Sequence, residues 1–268
     1  MARFSAVLLS ISLLLPAAAF AQEETEVYAP DVNETPRFSK PGFYAISPTV
    51  SYVNIPNILL DGFFSRHTGM WEGDAVNLSY GLSWSYSLPD AYEISATVQQ
   101  TSMATADGYW LEKGDRVEEA DWTTNNLSML SVETQFHWLT GMSGDGRTQL
   151  AYGFGLGVAK VSGEFKKYDL NVAECDDWSP VDRLSTDAAL LDKCFTATGD
   201  PAWLVDGAGN PKVVVEDKIP PVVPVLSASI GLRQTISENA VLALDMGIRA
   251  PQGLFVGLSA GYQWPQGE

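Results

Sequence analysis

Val76-Asn77-Leu78-Ser79-Tyr80-Gly81-Leu82-Ser83-Trp84-Ser85-Tyr86-Ser87-Leu88 is the run from which the fold can be read. Its even positions are all large and apolar, and its odd positions are all Asn, Ser or Gly. Side chains of a strand point alternately to its two faces, so this run has one greasy face and one face of small polar groups. The pattern recurs. Leu150, Tyr152, Phe154, Leu156 and Val158 alternate with Ala151, Gly153, Gly155, Gly157 and Ala159. Leu242, Leu244, Met246 and Ile248 alternate with Val241, Ala243, Asp245, Gly247 and Arg249. Leu254, Val256, Leu258, Ala260, Tyr262 and Trp264 alternate with Phe255, Gly257, Ser259, Gly261 and Gln263. Weaker runs at Phe43–Val53, Tyr92–Ala104, Leu127–Leu139 and Val222–Gln234 bring the total to eight. Each spans about ten residues or more, the length at which a tilted strand crosses a bilayer.

Which face meets solvent decides the environment. A soluble sandwich or barrel turns its apolar side inward and carries Lys and Glu outside. Here the small face holds Ser, Thr, Gly, Asn and Gln, and only Glu93, Glu133, Lys160, Arg233, Asp245 and Arg249 are charged within the eight runs. Small polar groups suit a narrow interior, and bulky apolar ones suit lipid. A sheet in hydrocarbon must also close on itself, because an open edge leaves backbone groups unpaired. The reading is all-β: an eight-stranded antiparallel up-and-down transmembrane β-barrel over residues 42–264, with long extracellular loops.

Composition agrees. Of 268 residues, 46% are hydrophobic and 18% charged, with 16 Lys and Arg against 33 Asp and Glu. That apolar share excludes a wholly disordered chain. A net charge of −17 excludes a nucleic-acid partner, which needs a cationic excess to neutralise phosphate. No internal run attains the roughly 20 apolar residues of a spanning helix, and 23 Gly argue against a helical bundle.

Connection lengths alternate. Links at about 54–74, 105–126 and 162–221 are long, whereas those at Pro89-Asp90, Thr140–Arg147 and Thr235–Asn239 are short, as is Ala250–Gly253. Transmembrane barrels have short periplasmic turns and longer extracellular loops. The three long links hold 21 acidic and nine basic side chains, so acid gathers on the side read as extracellular. With the N-terminus periplasmic, Tyr44, Tyr86, Tyr92, Trp138, Tyr152, Tyr262 and Trp264 fall at the periplasmic strand ends with lipid-facing parity, as an interfacial girdle does. Ahead of the barrel, residues 1–21 read as a secretory signal peptide, with Arg3, an apolar stretch Phe4–Leu15 and Ala19-Phe20-Ala21 as the cleavage site. Residues 22–41, acidic and Pro-bearing without apolar periodicity, read as a disordered periplasmic leader.

The chain resembles the small eight-stranded outer-membrane barrels of Gram-negative bacteria, of the OmpA, OmpX and OmpW type. The resemblance covers residues 42–264 and rests on architecture. Its closing strand, Gly257-Leu258-Ser259-Ala260-Gly261-Tyr262-Gln263-Trp264, is similar to the C-terminal assembly signal of that class, from which the tail 265–268 departs. The resemblance implies an outer-membrane location, contact with lipid and lipopolysaccharide, and delivery by the barrel-assembly machinery. It implies no cofactor.

Several residues are candidates for function. Cys175 and Cys194, with 18 residues between them, read as a disulfide in a secreted protein, and closing such a loop contributes roughly 3 kcal/mol. Between them, Ser179-Pro180-Val181-Asp182 reads as a capping box, with Val181, Leu184, Ala188 and Leu191 as one stripe of a short helix. Ile58, Leu59, Leu60, Phe63, Phe64, Met70 and Trp71 make the first long link apolar, either as a strand extension turning at Asp61-Gly62 or as a greasy mouth for a partner or hydrophobic solute. Glu93, Gln99, Glu133, Gln135, His137, Arg233, Asp245 and Arg249 share the lumen parity, and an eight-stranded barrel is just wide enough for side chains to fill. They read as a structural charge and hydrogen-bond network.

Ser65, His67 and Asp61 or Asp74 loosely resemble the loop-borne set of lipid A palmitoyltransferases, but spacing alone does not place a base beside a nucleophile. The acidic group Asp115, Glu118, Glu119 and Asp121 has no calcium-loop spacing, and no metal site is assigned. The functional reading is a non-enzymatic outer-membrane protein with a structural or surface-interaction role and acidic, disulfide-stapled extracellular loops. Two alternatives stand beside it: OmpW-like passage of small or hydrophobic solutes, helped by room left at Gly153, Gly155 and Gly157, and lipid A modification.

Overall fold

A computed structural model describes residues 42–54, 61–67, 77–103, 106–175, 178–195, 199–215 and 219–266. The segments read as signal and leader, and Ile58, Leu59, Leu60, Met70, Trp71 and Asp74, lie outside the described residues. Among the described residues thirteen strands follow in order: β1 Phe43–Asn54, β2 Phe64–Arg66, β3 Leu78–Leu88, β4 Tyr92–Ser102, β5 Gly108–Glu112, β6 Asp121–Asn125, β7 Ser128–Gly141, β8 Thr148–Ser162, β9 Phe165–Asp169, β10 Val213–Val215, β11 Val222–Ser237, β12 Ala240–Ala250 and β13 Gly253–Pro265.

Eight of them close a barrel in the order β1-β13-β12-β11-β8-β7-β4-β3, and they are the eight alternating runs of the sequence. Every pairing is antiparallel, from Ile46↔Trp84 round to Ala45↔Gln263, where the first strand meets the last. The period-two parity sorts by face. Tyr80, Leu82, Trp84, Phe154, Leu156, Met246 and Leu258 stand exposed on the outside, while Ser79, Ser95, Thr97, Gln99, Ser131 and Glu133 are buried within. Leaving a large apolar side chain in water forgoes about 1.5–3 kcal/mol, so such a wall amounts to tens of kcal/mol. A folded domain holds only about 5–15 kcal/mol in reserve. The outer wall is therefore built for an apolar surround.

The long connections correct the sequence reading: they are not simply loops. Between them they supply a second, five-stranded sheet in the order β10-β9-β6-β5-β2. It grows from the barrel wall, since the β7–β8 ladder ends at Ser128↔Ser162 and resumes as β6–β9 at Asn125↔Phe165. Asn126 bridges the interruption, its N–H donating to Glu164 O at 3.2 Å and its Oδ1 accepting from Glu164 N at 2.6 Å, while Gly163 turns the chain with φ +105°. Tyr109, Leu111, Val117, Ala120, Leu170, Leu191 and Ala202 bury against one another, and Trp122 and Phe195 pack on them, as a core separate from the barrel.

The single short helix expected from Val181 to Leu191 is a second correction. Two 3-10 turns stand there, Asp182–Leu184 and Ala188–Lys193. Ser179 and Asp182 do exchange the reciprocal bonds of a capping box, at 2.7 and 3.3 Å. The helix then stops, because Val117 N–H donates to Ser185 O at 2.9 Å, holding Ser185 extended, and Asp187 caps a new turn by accepting from Ala189 N at 3.0 Å. Leu191 is buried, whereas Val181 and Leu184 face solvent.

Candidate functional site

The lumen is built by facing β7 with glycine. Glu133, Gln135 and His137 of β7 pair opposite Gly157, Gly155 and Gly153 of β8. A Cβ at Gly155 would collide with the Glu133 carboxylate, Ser227 Oγ and Gln135 Cγ, and one at Gly153 or Gly157 with the β7 backbone. The space that these glycines leave is thus occupied by β7 side chains, which corrects the expectation of unfilled room there. His137 in particular passes the Gly153 row to Ser229, which pairs with Gly153 from β11. Its Nε2 lies 2.9 Å from Ser229 Oγ.

Two ion clusters result. Arg233 forks between acids: Nη2 and Nε donate to Glu93 Oε1 at 2.9 and 3.1 Å, and Nη1 donates to Asp245 Oδ1 at 2.7 Å. Ser87 Oγ donates to Glu93 Oε2 at 3.1 Å, and His137 Nδ1 lies 3.5 Å from Glu93 Oε1. In the second cluster, Arg249 Nε stands 3.1 Å from Glu133 Oε2. Ser227 Oγ donates to Glu133 Oε1, and the Arg249 guanidinium lies 4.3 Å over the Phe255 ring, a cation–π contact. All eight predicted lumen residues lie on the inner parity, and six of them enter these clusters. Gln99 and Gln135 stay in the wall of a cavity of about 90 Å³. A second cavity of about 230 Å³ lies toward the short turns, walled by Pro89, Arg147 and Gln263. Glu93 and Arg233 border both. Ser87, Ser227, Ser229 and Phe255, which complete the clusters, carried no signal beyond their parity.

Outside, the seven predicted girdle aromatics form a run of ring contacts. Trp264 stacks on Tyr44 at 6.0 Å and Trp138 on Tyr152 at 5.7 Å, while Tyr44 meets Tyr86 at 5.1 Å and Tyr86 meets Tyr92 at 6.3 Å with their rings tilted. Tyr262 stacks on Trp264. Phe136, unassigned from sequence, links the two halves by stacking on Tyr92 at 5.9 Å and meeting Trp138 edge-on at 5.0 Å.

Cys175 and Cys194 are joined by a disulfide inside the core of the second sheet, where Tyr109 Oη donates to Cys194 O at 3.0 Å. Burial raises the Tyr109 phenol far above its ordinary value. Of the apolar link, Phe64 packs edge-on to Trp110 at 4.9 Å, while Phe63 is exposed. His67 Nε2 is 2.9 Å from Asp61 Oδ1, and among the described residues no hydrogen bond ties Ser65 to that pair. The acidic group is dispersed. Glu119 accepts from Arg116 N, Glu118 lies 3.7 Å from Arg116, and Asp121 lies 3.4 Å from Lys167. Burial raises the Asp121 carboxyl despite that lysine. Among the described residues no three His, Cys, Asp or Glu gather at metal-binding spacing.

The sequence matches no protein-family model, and no curated protein matches it. Solved structures are similar in outline. Ail, the attachment invasion locus protein of Yersinia pestis, aligns over 84% of this chain and 100% of its own at 11% identity and TM-score 0.40. Neisserial surface protein A covers 84% and 99% at 10% identity and TM-score 0.40. OprG, an outer-membrane protein of Pseudomonas aeruginosa, covers 86% and 100% at 11% identity and TM-score 0.38. The chain's own strand order closes an eight-stranded antiparallel barrel, and its exterior is apolar.

Proposed function

We propose that the chain sits in a Gram-negative outer membrane with its N-terminus periplasmic and serves a non-enzymatic, surface-interaction role. The observation that carries this reading is the division of labour between the two sheets. The lumen is crossed by the Arg233 and Arg249 ion clusters, so the wall holds itself together. The long connections are gathered into a stapled sheet with its own core. Lipid and lipopolysaccharide would surround the wall, and the barrel-assembly machinery would insert it. Passage through the lumen is disfavoured by Glu133 and Gln135 lying against Gly155.

The test is outer-membrane fractionation with heat-modifiable gel migration, joined to protease treatment of intact cells. Unboiled protein should run as a compact form in the outer-membrane fraction, and cleavage should fall within residues 163–221. Protection of that segment in intact cells, with cleavage only after permeabilisation, would overturn the orientation.

A further inference from the structure

We propose that the lumen binds one alkali cation, in the cavity of about 90 Å³ between Asp245 and the hydroxyl-bearing wall of β1, β3 and β4. The inward charges do not balance. Among the described residues, three acids (Glu93, Glu133 and Asp245) stand on the lumen side against two bases (Arg233 and Arg249), a surplus of one negative charge. His137 does not cancel it: its Nδ1 stands 3.5 Å from Glu93 Oε1 and makes no hydrogen bond, so an imidazolium there would leave a buried N–H unspent. A charge without a partner inside a barrel is costly, and a cation able to enter relieves it.

The surplus falls on Asp245. Glu93 receives both Nε and Nη2 of Arg233, whereas Asp245 receives Nη1 alone, at Oδ1. The Asp245 side chain is 26% exposed, against 10% for Glu93, and it opens on the cavity. Its ladder partners are Gly231 and Gly257, so neither neighbouring strand covers it with a side chain. Oxygen lines the rest. Ser47, Thr49 and Ser51 of β1, Ser83 and Ser85 of β3 and Ser95 of β4 face the same space. Ser47 and Ser95 are more than nine-tenths buried, and no hydrogen bond engages either hydroxyl among the described residues. A carboxylate with hydroxyl and water oxygens is the donor set of a hard cation. One surplus charge selects a monovalent ion, since a divalent one would reverse the imbalance. At roughly 10–15 Å³ for each water, the cavity has room for such an ion with several waters.

The site depends neither on the surface role nor on cellular orientation. In its test, full-length protein refolded into zwitterionic vesicles is unfolded in urea at constant ionic strength. Sodium chloride is exchanged against choline chloride, whose quaternary head carries methyl groups where a ligand oxygen must approach. The unfolding equilibrium constant should fall about tenfold for each tenfold rise in sodium beyond half-saturation, as binding to the folded form alone requires. Asp245→Asn should abolish that dependence, and with it the sodium-23 line broadening that the wild type produces. Ser95→Ala, which leaves every charge in place, should fold normally and need about fivefold more sodium for the same effect. Should choline serve as well as sodium, should magnesium replace it, or should folded wild type show no sodium dependence, the proposal falls. If Asp245→Asn does not fold, Ser95→Ala decides alone: an unshifted sodium dependence overturns the site.

Discussion

Arg233 is the residue on which the interior turns, because it holds two carboxylates at once, Glu93 and Asp245, on the inner face of the barrel. Removing one partner of a buried pair leaves an uncompensated charge and costs about 3–5 kcal/mol. Arg233→Met should therefore lower stability by that order in urea unfolding of the refolded protein, whereas the exposed Arg66–Asp192 pair should matter little when broken. Gly155→Val is expected to do more than destabilise. Its side chain would meet Glu133, Ser227 and Gln135 at once, and the unboiled protein should lose its compact band.

Among elements, the barrel strands were legible and the second sheet was not, for one physical reason. Strands of eleven to sixteen residues such as β3 and β11 repeat the alternation often enough to be seen. Phe64–Arg66 and Val213–Val215 hold three residues each, too few to show a period. The second sheet is held by pairings between distant segments, Trp122↔Tyr168 and Val213↔Tyr168, which no local pattern announces. The helix at Val181 failed because a hydrogen bond from remote Val117 intervened. The lumen charges were legible by parity, but their partnering across β4, β7, β11 and β12 was not, since it depends on which strands the barrel makes neighbours.

The disulfide should act on the second sheet alone. Cys175→Ser with Cys194→Ser is expected to release about 3 kcal/mol of loop restraint and to speed proteolysis in 178–195, with the barrel core protected throughout. Asp121 gives this sheet a pH signature. Its folded carboxyl is raised above the ordinary 3.8, so the folded form binds the proton more tightly than the unfolded one. Its contribution is thus fully favourable below 3.8 and is lost as pH rises through the raised value. Asp182 and Asp206, lowered by backbone N–H groups, act in the opposite sense. Comparing wild type with Asp121→Asn in proteolysis of the second sheet isolates the first effect: acidification toward 3.8 should favour the wild type relative to the variant.

For the whole molecule, the decisive property is which way the wall faces. Phe154 stands on the outside, and a cation placed there at bilayer depth costs about 2–4 kcal/mol. Phe154→Arg should accordingly fold poorly into vesicles, while Ser95→Ala, on the inner face, should leave folding intact. The continuity of β6–β9 with β7–β8 has a mechanical corollary. A partner gripping the second sheet pulls on two adjacent staves along their own axes, and a ladder loaded in that direction shares the force among many rungs at once. Traction on the second sheet would thus run along the barrel wall as shear rather than peel it open.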